Sequence, residues 1–115
     1  MKKRPDDLKG RTRKYKMCGS LWITVNELDD KPFEVFMYGS KLGTCRSNLE
    51  ALSRVVSKLL QGNDLEGAID ATEKIHCPAM SRKLGAETIK KETDITKIPW
   101  SCPDALARFL QEYLI

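Results

Sequence analysis

The sequence predicts an α+β domain: a small antiparallel sheet of about three strands followed by two to three helices packed on one of its faces. Three observations predict it. Apolar residues alternate with period two between Thr12 and Tyr38, and the period changes to that of a helix between Leu49 and Leu60. Helical spacing then returns between Ala105 and Leu114.

The first strand begins where charged residues interleave with Tyr15 and Met17, and the second is marked by Leu21, Ile23 and Val25 alternating with Trp22 and Thr24. Between them Cys18-Gly19-Ser20 reads as a tight turn or bulge across which the two runs pair. Asn26 to Lys31 is a polar connection, with Asp29 and Asp30 as turn formers. Phe33, Val35 and Met37 alternate with Glu34, Phe36 and Tyr38 in a third strand, with Pro32 at its start, where a missing amide donor does least harm. Gly39, Ser40 and Gly43 then mark a loop that delivers Cys45.

Leu49, Leu52, Val55, Val56, Leu59 and Leu60 share one helix face, which covers the inner face of the sheet. Ser47 with Glu50 suits a capping box at its start, and Gly62 a left-handed cap at its end. Asn63 or Asp64 caps a shorter helix carrying Leu65, Ala68 and Ile69, although Gly67 inside it costs roughly 1 kcal/mol relative to alanine. Residues 79–99 are polar and predict a loop or a short irregular strand pair. The last helix opens at Ser101-Cys102-Pro103-Asp104, where Ser101 caps, Asp104 reciprocates and proline is tolerated because its missing amide hydrogen had no partner there. Ala105, Leu106, Phe109, Leu110, Tyr113 and Leu114 line one of its sides.

A chain of 115 residues has room for one domain with its own core. With 41% hydrophobic and 31% charged residues it falls among soluble globular proteins rather than disordered or membrane ones. Its apolar runs are a few residues long, against about 20 for a membrane span, and no apolar stretch follows the basic N-terminus. Neither a signal peptide nor a membrane anchor is expected, and the expected location is cytoplasmic. The formal charge of +4 is unevenly spread, because eight basic and two acidic residues fall within residues 1–17. We therefore divide the chain into a basic N-terminal arm, residues 1–11, and a single domain, residues 12–115. Lys2, Lys3, Arg4, Arg11 and Arg13 are candidates for contacts with nucleic acid phosphates or an acidic partner; a solvated lead-in that keeps the chain soluble is the blander alternative.

The four cysteines, Cys18, Cys45, Cys77 and Cys102, do not form the close CxxC pairs of a zinc ribbon. Their contexts are more informative. Cys18 precedes Gly19 at a strand break, Cys45 follows Gly43 before a helix, Cys77 precedes Pro78, and Cys102 lies in a first helical turn. Residues at element boundaries can meet at a point without distorting a ladder or a helix, whereas cysteines serving as small core hydrophobes sit within the periodic runs. Four thiolates would fill a tetrahedral zinc shell and leave no open position, so the expected site is one structural zinc per chain that staples the sheet to its helices. An iron–sulfur cluster accepts the same ligands. A redox dithiol is a further alternative, although no CxxC motif is present. His76, the single histidine, lies beside Cys77 and could replace a thiolate or act as a base, but an incidental surface position is the plainer reading.

Several segments together resemble one known family, the TSCPD domain, named for its Ser-Cys-Pro-Asp signature. They are Arg4-Pro5-Asp6-Asp7-Leu8-Lys9-Gly10-Arg11-Thr12, Cys18-Gly19 with Leu21 to Asn26, Lys31-Pro32-Phe33-Glu34-Val35-Phe36, and Ser101-Cys102-Pro103-Asp104-Ala105. The resemblance also takes in Gly43, Cys45 and the Cys77-Pro78 pair. Trp100 stands where the signature has threonine, and Thr44 where a second glycine is frequent.

Domains of this family are commonly appended to the C-terminus of adenosylcobalamin-dependent ribonucleotide reductases and also occur alone. The resemblance thus implies a link to deoxynucleotide supply and a reductase catalytic subunit as partner. It does not imply the reductase reaction, whose barrel and nucleotide and cobalamin sites exceed this length. The function expected is that of a non-catalytic, zinc-binding accessory domain. A nucleic-acid-binding module using the basic arm and a thiol redox helper of a reductase are the alternatives.

Overall fold

Period-two alternation produces three strands, β1 (Lys9–Lys16), β2 (Ser20–Leu28) and β3 (Lys31–Gly39), in one antiparallel sheet of order β1-β2-β3. Three helices follow: α1 (Cys45–Gln61), α2 (Leu65–Thr72) and α3 (Cys102–Gln111), with a helical turn at residues 78–80. This computed structural model describes residues 3–17, 19–39, 45–80 and 98–114. Cys18, the loop bearing Gly43, and residues 81–97 of the segment expected to be irregular lie outside the described residues, as does Lys2.

Register decides which side chains face the helices. Leu21, Ile23 and Val25 stand opposite Tyr15, Arg13 and Arg11 on one side, while Ile23 and Val25 stand opposite Met37 and Val35 on the other. The apolar members of these rows are buried with Leu49, Val56, Leu60, Ala68, Leu106 and Phe109 in one core between the sheet and the helices. Each large side chain so buried is worth about 1.5–3 kcal/mol. Val55, expected on the buried face of α1, is 59% exposed.

Strands β2 and β3 are joined by Asp29 and Asp30 alone, at φ 55° and 63°. Two successive left-handed residues make the hairpin turn whose twist matches that of the strands, and aspartate tolerates that conformation better than most residues. The connection is therefore shorter than residues 26–31. Likewise β1 begins at Lys9, so the last three residues of the segment read as an arm belong to the sheet.

The free edge of β3 is sealed by α1. Ser53 Oγ accepts from the Met37 amide at 3.1 Å and Ser57 Oγ from the Val35 amide at 3.0 Å. Four residues of helix rise about 6 Å and two residues of strand about 6.7 Å, so serines at i and i+4 match amides at j and j−2 on an antiparallel strand. Ser53→Ala leaves the Met37 amide, which is buried with it, without this acceptor. A loss of about 1–3 kcal/mol is expected, read as a lower urea midpoint with an unchanged m-value.

Helix α1 ends in a Schellman motif whose left-handed residue is Asn63 (φ 62°), not Gly62. Asn63 N–H donates to Leu60 O at 2.9 Å and Asp64 N–H to Leu59 O at 2.9 Å. Asp64 then caps α2 by accepting from the Gly67 amide at 2.9 Å. A Cβ at position 67 would lie 2.2 Å from that carboxylate. Gly67 thus leaves room for the capping carboxylate, which is the movable end of a side chain. Ser47, expected as the cap of α1, lies inside the helix, which starts at Cys45.

Candidate metal centre

The strand pairing Lys16↔Ser20 and the pairing Leu21↔Gly39 set the β1–β2 connection and the end of β3 at the same end of the sheet. At that connection the Met17 amide donates to Gly19 O at 2.8 Å, flanking Cys18. Because Ser57 meets Val35 and Ser53 meets Met37, α1 runs antiparallel to β3, and its first residue, Cys45, lies toward that same end. Helix α3 points the same way. Its C-terminal side is held far from the connection, where Tyr113 Oη donates to Glu27 at 2.7 Å, while Phe109 lies beneath Arg13. Its first residue, Cys102, is therefore directed toward the β1–β2 end. Cys77 is tied to the approach to Cys102 by its amide, which donates to Trp100 O at 3.1 Å.

Cys45 is exposed, and Cys77 and Cys102 are half-buried against the core; none of the three is in a disulfide. Among the described residues no three histidine, cysteine, aspartate or glutamate side chains come together as a group that would hold a metal ion. Thiolate sulfur is the donor of closed structural zinc sites, so cysteines would suit that ion if they met around it. Cys102 occupies the first position of α3, at the positive end of the helix dipole. His76 is exposed, with its ring centroid 4.4 Å from that of Trp100.

The signature aspartate has a larger role than a cap. Ser101 Oγ does accept from the Asp104 amide at 3.1 Å, as the capping pattern predicts. The Asp104 carboxylate reaches past the Ser101 amide instead of reciprocating. It accepts from the amides of Trp100 at 2.9 Å and Lys74 at 2.8 Å and from Arg108 Nε at 3.0 Å. Lys74 adopts φ 59° to present its amide. One buried carboxylate thereby fastens the chain ahead of Cys77 and the chain ahead of Cys102 to the same turn of α3.

Three of the five basic residues singled out in the sequence are engaged within the molecule. Arg4 forms a forked pair with Glu34, which also accepts from Asn26 Nδ2 at 3.0 Å. Gly10 makes this possible, since a Cβ there would sit 2.1 Å from Asn26 Oδ1. The motif residues Arg4, Gly10, Asn26 and Glu34 are thus one network on the outer face of the sheet. Burial alone would raise the Glu34 pKa, but the hydrogen bonds from Arg4 and Asn26 outweigh it and hold the carboxyl below its ordinary range.

On the inner face both Arg11 and Arg13 lie over the Phe109 ring, at 5.1 and 4.6 Å, and both bind Glu112. The Arg13 guanidinium, followed by Arg11, lowers the Glu112 pKa against the opposing effect of burial. A depressed folded-state pKa means a contribution that is complete above the ordinary glutamate value of 4.5 and is lost as the pH falls through the folded value. Glu112→Gln is therefore expected to lower the melting temperature near neutrality and to converge with the parent protein in acid. An equal difference at pH 7 and at pH 3 would count against this pair.

No helix among the described residues is long and apolar enough to cross a membrane. Neither a curated protein nor a solved structure matches the chain. The family model of the TSCPD domain, in contrast, matches residues 1–114, and the chain belongs to the TSCPD domain family.

Proposed function

We propose that this chain is a non-catalytic accessory domain that works beside a ribonucleotide reductase and carries one structural zinc ion on Cys18, Cys45, Cys77 and Cys102. Membership of the family supports the reductase link. The zinc assignment is supported by one observation above all: Cys45 and Cys102 each open a helix, and both helices start toward the end of the sheet that carries the β1–β2 connection. Cys77 is drawn to the same place by its amide bond to Trp100.

In this reading Asp104 prepares the site by holding two ligand-bearing segments before metal arrives, and the metal supplies a cross-link that a small core cannot provide alone. Four thiolates would leave the zinc without the open coordination position that catalysis requires. The protein is accordingly expected to reside in the cytoplasm with the reductase it serves.

Elemental analysis of protein purified without added metal tests the assignment. One zinc per chain is expected, falling to none when Cys45 and Cys102 are both replaced by serine. Metal-free protein with an undiminished melting temperature, or stoichiometric iron with sulfide, would overturn it. Co-purification with a ribonucleotide reductase catalytic subunit tests the second half independently.

A further inference from the structure

Among the described residues, the outer face of the sheet is covered at one end only. Arg4 closes on Glu34 at the row Gly10–Asn26–Glu34, and the next two rows toward the β1–β2 connection stand open. These rows are Thr12–Thr24–Phe36 and Lys14–Trp22–Tyr38. Trp22, Phe36 and Tyr38 are 37%, 48% and 52% exposed, although large aromatic side chains are the ones a domain gains most by burying.

We infer that this face is a platform for single-stranded nucleic acid, with Trp22, Phe36 and Tyr38 stacking bases and Lys14 and its neighbours meeting phosphates. Trp22 and Tyr38 are directly paired across β2 and β3, and Phe36 lies two residues from Tyr38 on the same face. Same-face neighbours along a strand are about 6.7 Å apart, a spacing at which successive unstacked bases of an extended strand can each meet a ring. The hydroxyls of Thr12 and Thr24, 2.7 Å apart, lie beside the rings and can bond base edges.

Charge favours this occupant over others. Lys14 Nζ lies 5.4 Å from the Trp22 ring, Lys16 follows it on the same face, and the open rows contain no carboxylate. A groove of about 810 Å³ continues from Phe36 and Tyr38 to Arg46, Arg54 and Lys58 on α1. Glu50 pairs with Arg54 and Glu34 with Arg4, so among the described residues Arg46 and Lys58 have no carboxylate partner there. A second copy docking with its open rows against these would set Lys14 and Lys16 against their counterparts, with no carboxylate in those rows. Double-stranded nucleic acid keeps its bases stacked inside and cannot use the rings.

The test is fluorescence anisotropy of the full chain with labelled oligo-dT and oligo-U of about twelve nucleotides, at several salt concentrations. Binding of either strand is expected, with a matched duplex competing poorly. Tyr38→Ala and Phe36→Ala, changes at exposed side chains, should each weaken binding about tenfold. Lys14→Ala should reduce the salt slope by about 0.7. Unchanged melting of each variant shows that folding is not the cause. Absence of binding at low salt would overturn the inference. So would binding indifferent to the ring substitutions but lost on Lys2→Ala with Lys3→Ala, or self-association abolished by Tyr38→Ala. The measurement is made on the protein as purified and reads ring and lysine substitutions rather than bound metal, so its failure is distinguishable from failure of the zinc assignment.

Discussion

Removal of metal from the purified protein, or the substitution Cys102→Ser, is expected to collapse its thermal stability. Structural zinc in small domains contributes apparent binding energies of about 10–16 kcal/mol, as large as the whole stability of a typical domain, about 5–15 kcal/mol. The position of Cys102 sharpens the expectation. It is the first residue of α3, whose far side is fixed to β1 through Phe109 and Glu112. Loss of the metal frees the near end of that helix while the far end remains held. A chelator titration followed by circular dichroism should show α3 and the sheet melting together. Cys102 is also half-buried against the core, so serine there has a cost of its own. The two effects separate by metal content, because a packing cost leaves one zinc per chain in place whereas loss of a ligand lowers the bound zinc. A melt that is unaltered after verified metal removal would count decisively against the zinc assignment.

Asp104→Ala is expected to cost about 3–5 kcal/mol. The carboxylate is only 5% exposed and accepts from two backbone amides and one guanidinium. Alanine removes both acceptor oxygens and with them all three hydrogen bonds, so the amides of Lys74 and Trp100 lose their bonds to the carboxylate. Asp104→Asn keeps one acceptor oxygen and should fall between the two. Urea unfolding with a lowered midpoint and constant m-value is the measurement, and a loss below about 1 kcal/mol would reduce the aspartate to the ordinary cap that its position suggests. If the zinc assignment holds, the same substitution also weakens metal affinity, because the segments leading to Cys77 and Cys102 no longer share an anchor.

Much of the fold was legible because its signals are local. Leu21, Ile23 and Val25 alternate, Leu49 to Leu60 follow a helical period, and both patterns reflect one buried side per element. The cap at Ser101 was legible for the same reason, since an Asp three residues later is a short-range pattern. The helix ends were less so. Gly62 is the usual left-handed residue, yet the turn uses Asn63, a choice made by how Asp64 must approach both Leu59 and Gly67.

The candidate site divides in the same way. That the cysteines stand at element boundaries was readable along the chain, but which end of the sheet each boundary occupies was not. The role of Asp104 toward Lys74 spans 30 residues and leaves no periodic trace. The basic residues near the N-terminus are the clearest case. Their number implied a charged arm, whereas their strand register turns Arg11 and Arg13 inward onto Phe109 and leaves the outer face to Lys14 and Trp22.

By itself, then, the order of residues determined the elements, their buried sides and the family, because each depends on neighbours a few positions apart. Only the tertiary structure decided which arginines are spent on the C-terminal helix, which serines seal the sheet edge and which aromatic rings remain in water. Those outcomes depend on strand register, where a shift of one residue exchanges the two faces of the sheet, and on helix direction, which decides the end at which a distant side chain arrives.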